Sequence, residues 1–513
     1  MVKLPEKLGT AKQRRERAEK AKKLRDSARS MLQTAYDYCC PENNTFNDRE
    51  RHKEENIHLY DETAPHSLTM FANNMQGSLV PAEQKWMKLT PGDEIPEEAK
   101  DQAEAILSPM TDTFFKYLHQ TNFDTAVNPF FRDVGISTGW FQFQDLPPVY
   151  SEIGYWQAIP ADEICPEESP RGKLDNLHRF KKVEARHIKE TWPDASLPDK
   201  LEKIIAKDGH AKVEILISQL EYERSYYHVV MWEEHDLLVQ QFGAKRIIGA
   251  GMTLASGEVY RRGPALYVLP AIRRLNKIQE FGLKAGAFAI APPIMTTDAG
   301  AFNPWNSRLR PGAPINVKSN DNANPTLRTL QIGADFNWES MKTEELQEVI
   351  RKAFFVDPIG DIADPARTLG EIQIRMQEFL KNQGASISRL KSEFVNEAVD
   401  TFLDAMAIRG KIEPEIRLDG KIISIRHESP LAQAEQLEDF QNTQTFLRAL
   451  GEIAQTLPPE AAAGFLAGTV NIEKVPSEIA KMLGVDPAIL RTEAEQRQLA
   501  QQYRGAIENG ALQ

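Results

Sequence analysis

The sequence predicts an α+β protein that is mainly helical, and three observations support this prediction. Apolar residues recur every three or four positions through several long stretches without proline, as in amphipathic helices. Between about 129 and 262, short runs of β-branched and aromatic residues instead lie between turn residues, as in strands. No repeat of 20–50 residues is evident in the sequence, so a solenoid or propeller is not expected.

Length and charge set the first limits on function. The chain has 513 residues, enough for about three domains and a sizeable core. Hydrophobic residues make up 41% and charged residues 27%, as in an ordinary folded protein. The formal net charge is −12, whereas sequence-reading DNA-binding proteins usually carry a basic excess. We therefore expect at most loose DNA binding, or binding along one small basic face.

Cysteine usage and hydropathy bear on the compartment. The three cysteines, Cys39, Cys40 and Cys165, are few and odd in number, which argues against a disulfide framework and favours a reducing cytoplasm. No apolar region follows the charged N-terminus, so a secretory signal is not predicted. The longest apolar stretch, 285–293, is too short to span a bilayer, and no membrane location is expected.

Three helices are predicted before the β-rich region. The first covers 11–38 and contains neither proline nor glycine. Its dense charge run from Lys12 to Arg25 fits either a solvated helix face or a contact with nucleic acid or a partner. The other two helices cover about 57–80 and 96–120, each with apolar residues at helical spacing.

The β-rich region, 129–262, is predicted to be α/β or largely β. Two short helices are expected within it, near Ala185–Thr191 and Pro198–Ala206. The predicted strands are Gly139–Phe143, Tyr155–Ile159, Val213–Leu220, Tyr226–Trp232 and Leu237–Phe242.

Two further helices are predicted at 271–290 and 338–354, the second with Asn337 as its N-cap. Residues 294–336 between them are rich in Asn, Pro, Gly and Asp and are expected to be irregular or short-stranded. Glycines and alanines between 282 and 289 would permit close helix approach. The two helices fit either a buried hairpin in a monomer or an interface between subunits.

The longest helical pattern follows a loop at 355–367. Thr368 and Glu371 fit a capping box at its start. A short β-ribbon is predicted at 411–428 with Asp419-Gly420 at its turn, and the chain is helical beyond it. The apolar stripe of the long helix comprises Ile387, Leu390, Phe394, Ala398, Phe402 and Met406.

Recognisable catalytic motifs are largely absent from the sequence. It contains no GxxxxGK[ST] or HExxH, and the histidines do not pair at ligand spacing. Asp357, Asp361 and Asp364 share a loop and fit either a cation site or a solvated loop. We therefore predict no catalytic residue, no metal site and no cofactor.

Four groups of segments carry a resemblance to a known family. They are Asp61–Pro65 with Phe71–Pro81 and Trp86–Leu89; Ile159–Gly172 with Arg179 and Trp192-Pro193; Gly257–Leu266 with Leu275–Lys277 and Ala291–Ile294; and Arg367–Arg375. In this order and spacing, over about 10–430, they resemble the podovirus head-to-tail connector (portal) protein family of short-tailed bacteriophages. The family often reads Tyr-Gly-Arg-Gly-Pro where this chain has Tyr260-Arg261-Arg262-Gly263-Pro264.

The resemblance implies a phage portal fold with wing, stem, clip and crown regions, assembling into a ring. The implied regions are a wing at 1–262 with the N-terminal helices and the β-rich region, stem helix 1 at 263–291, a clip at 292–336, stem helix 2 at 337–355, a tunnel loop, long wing helix and β-ribbon at 356–430, and a crown with C-terminal helices at 431–513.

The resemblance also implies a function and partners. Such a protein forms a dodecameric ring at one capsid vertex, the channel through which the genome is packaged and ejected. Motor activity would belong to a separate ATPase, because no phosphate-binding loop is present. The implied location is the portal vertex of the virion, with the host cytoplasm during assembly. The implied partners are further copies of the chain, double-stranded DNA bound non-specifically, the terminase large subunit, tail adaptor and nozzle proteins, and the scaffolding and major capsid proteins.

Basic residues of the stem and tunnel regions are the candidates for lining a DNA channel. Phosphate contacts position DNA without reading its sequence, and repeated weak contacts let it move. The alternative role of each residue is a salt bridge at the surface or between subunits. The candidates are Arg273, Arg274, Lys277 and Lys284 in the first stem helix, Lys342, Arg351 and Lys352 in the second, and Arg367 and Arg375 beyond them.

Two other functions stay open on the sequence. One is another virion structural protein, such as a tail adaptor or internal ejection protein, although the proline-bounded pattern of two helices around a clip argues against it. The other is a cytoplasmic enzyme with an unrecognised site, which would have a polar, substrate-sized pocket in a monomer or small oligomer.

Overall fold

The computed structural model describes both predicted stem helices and nearly all of the region before them. Most of the predicted clip, the tunnel loop with Thr368 and Glu371, the Asp419-Gly420 turn and most of the crown lie outside the described residues. The described residues are 3–43, 59–82, 84–92, 94–167, 169, 172–223, 225–290, 294–296, 327–329, 336–356, 384–412, 423–427, 443–454, 458, 468–470, 475 and 479.

The N-terminal region is helical, as the sequence predicts. The first helix begins at a capping box, in which Thr10 Oγ1 accepts from the Gln13 N–H and Gln13 Oε1 accepts from the Thr10 N–H. No helix within the described ranges is both long enough and apolar enough to cross a membrane. The three predicted helices are α1 (Ala11–Cys39), α2 (Thr63–Leu79) and α3 (Glu97–Leu118).

A fourth helix, α4 (Phe123–Ile136), shows that the predicted start of the β-rich region at 129 is wrong. Its apolar residues Phe130, Phe131 and Val134 are all buried. These residues follow helical spacing, so the apolar pattern itself favours a helix. The predicted boundary coincides with Pro129, which lies inside α4 and resembles a helix break in the sequence.

Two antiparallel sheets follow the N-terminal helices, and all five predicted strands are present in them. The strands up to residue 250 are β1 (Met87–Pro91), β2 (Gly139–Asp145), β3 (Gly154–Ala158), β4 (Ile164–Pro166), β5 (Leu177–Glu184), β6 (Lys212–Tyr222), β7 (Ser225–Trp232), β8 (His235–Phe242) and β9 (Ile247–Ala250). One sheet is a five-stranded meander in the order β4-β5-β6-β7-β8, and the other has three strands with β2 between β3 and β9. Strands β4, β5 and β9 were not predicted.

Helices cover both faces of the five-stranded sheet. Successive residues of a strand point to opposite faces, and in β6 Leu216 packs on the side of α1 while Ile215 and Ile217 pack on the other. That second face is covered by α5 (His187–Thr191) and α6 (Asp199–Lys207). The predicted short helices are therefore confirmed as the outer cover of the sheet.

Two side-chain amides close the edges of the three-stranded sheet. At β9, Gln219 Oε1 accepts from the Arg246 and Ile247 N–H groups at 2.8 and 2.7 Å, and its Nε2 donates to the Ile247 carbonyl at 2.9 Å. At β3, the amide of Asn122 exchanges two hydrogen bonds with the Trp156 backbone at 2.7 and 2.8 Å. Gln219 belongs to β6, so it also joins the two sheets.

The long predicted helix crosses the main core. Its described part comprises helical residues 384–390, a π-helical turn at Lys391–Val395 and α9 (Asn396–Ile408). The predicted apolar stripe is buried in full, and Phe394 stacks on Phe130 with ring centroids 4.3 Å apart. The described part of the predicted ribbon, β12 (Ile423–His427), pairs antiparallel with β1.

Candidate functional site on the paired helices

The two predicted stem helices form an antiparallel pair, α7 (Pro264–Ile290) and α8 (Phe336–Ala353). Gln279 Nε2 lies 3.4 Å from Thr343 Oγ1, while Tyr267 and Ala353 line one cleft at the opposite end. Beyond the pair, the short strands β10 (Ile294–Thr296) and β11 (Leu327–Thr329) are antiparallel neighbours.

The helix boundaries differ from the predicted ones. Helix α7 begins at Pro264, seven residues before the predicted 271, and contains Pro270. Proline suits the first helical position because its missing N–H would have no partner there. Helix α8 begins at Phe336, so Asn337 lies inside it and is not its N-cap.

The inner halves of both helices are fixed in the core. Ile272 of α7 and Ile350 of α8 are buried among residues of the N-terminal helices. The Tyr60 N–H donates to the side-chain oxygen of the buried Asn276 at 2.7 Å. The direction in which the helix pair projects is therefore set by the N-terminal region.

The outer half of α7 exposes large apolar side chains on two flanks. Phe281 and Phe288 are 58% and 48% exposed, and Leu283 and Ile290 are 61% and 88% exposed. The members of each pair are seven residues apart and lie on the same flank, and the two flanks are about 160° apart around the helix axis. Of the two helices, only the inner half of the pair is buried as a hairpin in a monomer would be.

The described channel candidates all lie at the surface of the helix pair. Lys342 is half-buried and the other six are exposed. Arg273 and Arg351 have no ion pair within the described part of the chain, and the charge of Arg274 acts on Glu345. Arg367 and Arg375 lie outside the described residues.

Four of these cations pair with carboxylates on their own helix. Glu280 accepts from two lysines of α7, and hydrogen bonds from Lys277 and then Lys284 lower the pKa of Glu280 to about 2. The α8 lysines pair in the same way, Lys342 with Glu345 at 2.7 Å and Lys352 with Glu348 at 2.5 Å. Because Lys277 and Lys284 share one carboxylate and Arg273 pairs with none among the described residues, the α7 face stays basic.

The basic run of α1 was predicted to be either a solvated helix face or a contact with nucleic acid or a partner, and part of it has a third role. Arg14 is buried and lies 2.5 Å from an Asp236 oxygen. Arg17 donates twice to the Glu167 carboxylate, at 2.8 and 2.7 Å. These arginines hold α1 against the five-stranded sheet, so part of the run belongs to neither a solvated face nor a partner contact.

A hydrogen-bonded trio beside Arg17 has the connectivity of a hydrolase triad. His178 Nδ1 lies 2.9 Å from Ser218 Oγ, and His178 Nε2 lies 2.9 Å from Glu167 Oε1. Although burial opposes it, hydrogen bonds from His178 and Arg17 lower the pKa of Glu167 to about 2. Ser218 and His178 are fully buried inside the sheet, and a nucleophile needs access to its substrate. The trio therefore fixes α1 to the sheet.

Two buried cysteines are held in the thiol form. Burial raises the pKa of the Cys40 and Cys165 thiols to about 12, which keeps both protonated at neutral pH. Among the residues that the structure describes, no group of three His, Cys, Asp or Glu side chains is placed to hold a metal ion.

Carboxylates of α9 join the long helix to the sheets. Lys245, which is buried, lies 2.8 Å from Glu397 and 3.2 Å from Asp175. Arg246 lies 3.0 Å from Asp404. Burial, together with the charges of Glu397 and Asp404, outweighs Lys245 and raises the pKa of Asp400 to about 8.

Asp400→Asn is expected to stabilise the fold at alkaline pH. A carboxyl whose pKa rises on folding from 3.8 to about 8 destabilises the fold as it ionises. The loss begins above pH ~4 and is complete above pH ~8. Because Asp400 keeps some solvent contact, we expect a gain of about 2 kcal/mol at pH 9 rather than the full shift. Thermal melts from pH 5 to 9 should show a widening difference, and a difference independent of pH would contradict the assignment.

Sequence patterns missed the buried cations Lys245, Arg246 and Arg261. Each is paired with a carboxylate of the long helix region. The partners are more than 100 residues apart in the chain, so hydrophobic periodicity gives no sign of these pairs. The sequence did mark Arg261 as unusual, because the portal family often has glycine at this position.

The comparisons with known proteins come from a family model and from solved structures. The family model "Bacteriophage head to tail connecting protein" matches residues 11–490. The chain is similar to a chain of "Virion of native gene transfer agent (GTA) particle", with 12% identity, a TM-score of 0.37 and coverage of 83% of this chain and 91% of that chain. Similarity to a chain of "Neck of empty GTA particle computed with C6 symmetry" has the same identity and coverage and a TM-score of 0.36. No curated protein sequence matches the chain.

Proposed function

This chain belongs to the family of bacteriophage head-to-tail connecting proteins, and from that premise we propose that twelve copies close into a ring at one capsid vertex. The ring is the channel for packaging and ejecting double-stranded DNA. Terminase docks on it during filling, and tail adaptor and nozzle proteins dock afterwards. Scaffolding and major capsid proteins surround it during assembly in the host cytoplasm. The wing, stem, clip, tunnel and crown regions keep the boundaries inferred from the resemblance.

The two apolar flanks of α7 are the observation that carries the ring proposal. A closed ring uses a heterologous interface, in which one patch of a subunit meets a different patch of the next. The flank with Phe281 and Phe288 and the flank with Leu283 and Ile290 are two such patches. When the neighbouring subunits cover both flanks, the face of α7 that lies between the flanks stays exposed.

The basic face lies between those flanks. Lys277 and Lys284 are seven residues apart and aligned, about 60° from Phe281 and about 100° from Leu283 around the axis. Covering both flanks in a ring would direct Lys277, Lys284 and Arg273 of every subunit to one common side. This arrangement supports a channel that contacts phosphates weakly and without reading sequence.

The oligomeric state tests the proposal. Twelve copies of a 58.0 kDa chain give a ring of about 700 kDa, which mass photometry resolves. A stable monomer under all conditions, including with scaffolding protein present, would refute the ring. Binding to DNA should be weak, independent of sequence and weaker as salt rises.

Flank variants test the heterologous interface directly. Phe281→Asp with Phe288→Asp, or Leu283→Asp with Ile290→Asp, should each prevent closure. Each double variant keeps one intact flank, so mixing the two should give a pair of about 116 kDa and nothing larger. Ile106→Asp, at an exposed apolar residue of α3, is the control and should still form rings. Rings formed by either flank variant would count against this interface.

A further inference from the structure

Glu280 holds the ammonium groups of two predicted channel lysines at once. Its Oε2 lies 2.6 Å from Lys277 Nζ, and its Oε1 lies 2.5 Å from Lys284 Nζ. The spacing of three and four residues places all three side chains on one face of α7. Lys277 also lies over the Phe281 ring, 4.9 Å from its centroid. Both carboxylate oxygens are therefore already used by lysines.

We propose that Glu280 limits how tightly this face holds DNA, by competing with phosphate for Lys277 and Lys284. The inference rests on the proposed function, because it requires DNA to pass along α7. A phosphate gains either lysine only when the contact with Glu280 breaks. The freed carboxylate then stays beside the phosphate and repels it.

Competition of this kind suits a surface along which DNA moves. Exposed ion pairs at helical spacing are individually weak, so DNA displaces them readily and they re-form behind it. Each subunit of a ring presents the same trio, so DNA meets an equivalent competitor at every position. Arg273, one turn before Lys277, is exposed and lacks an ion pair among the described residues, so a phosphate can reach it without this competition.

Removing the competing charge is the experiment. Binding of the assembled full-length protein to duplex DNA of about 40 base pairs is followed by fluorescence anisotropy from about 50 to 300 mM NaCl. Glu280→Gln should tighten binding roughly three- to tenfold at low salt. The plot of log affinity against log salt should steepen by about one for each lysine that gains a phosphate, because each such contact releases a counterion.

Glu202→Gln is the matched control. Glu202 lies on α6, away from α7, and pairs with Lys189 at 3.8 Å. The substitution changes the net charge of the chain by the same amount, so it reports the general electrostatic effect. Its affinity and salt slope should stay close to those of the parent protein.

The possible outcomes distinguish competition by Glu280 from the proposed DNA channel. Adding Lys277→Gln and Lys284→Gln to Glu280→Gln should cancel the gain. If Glu280→Gln behaves like Glu202→Gln while the two lysine substitutions alone weaken binding, the inference is overturned and the channel proposal stands. If the parent does not bind DNA at low salt and the lysine substitutions change nothing, the DNA contact of the proposed function fails together with the inference.

Discussion

Gln219→Leu is expected to lower the free energy of unfolding by about 3–6 kcal/mol. The side chain of Gln219 satisfies two backbone N–H groups and one carbonyl at Arg246 and Ile247, all inside the junction of the two sheets. Leucine fills a similar volume but leaves the three backbone groups buried without partners. Each such group costs about 1–3 kcal/mol. Urea denaturation followed by tryptophan fluorescence measures the loss.

Gln241→Leu is the control for that substitution. Gln241 has the same side chain and is exposed on strand β8. Exposed substitutions usually change stability by no more than about 0.5 kcal/mol. Equal losses for the two variants would show that the side chain of Gln219 does not join the sheets.

Arg261→Met is expected to cost about 3–5 kcal/mol. The guanidinium of Arg261 is fully buried and donates to both Glu393 oxygens, at 2.8 and 3.3 Å, and to the Gly172 carbonyl at 2.8 Å. Methionine keeps much of the apolar volume but leaves the half-buried Glu393 with only the more distant Arg389, at 3.7 Å, among the described residues. The substitution is costly because the Glu393 charge and the Gly172 carbonyl stay behind without the guanidinium. Denaturant titration measures this loss as well.

The adjacent arginine gives the comparison. Arg262 also pairs with a glutamate, Glu258, but at the surface and at four-residue spacing. Arg262→Met should cost only about 0.2–1 kcal/mol. Adding Glu393→Leu to Arg261→Met should recover part of the loss, since removing a whole buried pair is often nearly neutral. Equal costs at Arg261 and Arg262, or no recovery in the double variant, would contradict a buried ion pair.

Sequence patterns predicted the elements that bury a single face. The stripe from Ile387 to Met406 repeats at helical spacing because only one side of that helix meets the core, and the structure buries all of it. Helix α4 was missed because Pro129, which lies inside it, resembles a helix break in the sequence. Strand β5 was missed because its sequence, LHRFKKVE, has few β-branched residues.

Helical periodicity also located α7 and α8. The family resemblance made their basic residues channel candidates, among them Arg273 and Lys277 of α7, and their contact with DNA stays a prediction. The contacts of Glu280 follow from three- and four-residue spacing and were readable in the sequence. The pairing of Arg246 with Asp404 was not, because it joins residues far apart in the chain and depends on how the sheets and the long helix come together.

The pairing of β1 with β12 has a consequence for how the chain folds during synthesis. Thr90 and Ser424, bonded across these strands, are 334 residues apart. A ribosome adding about 5–20 residues per second completes Ser424 roughly 15–70 s after Thr90. Throughout that interval β1 has no native partner, and an unpaired strand edge invites association with other chains. Slower elongation between residues 91 and 423 should therefore increase the aggregated fraction, whereas slower elongation after residue 427 should not.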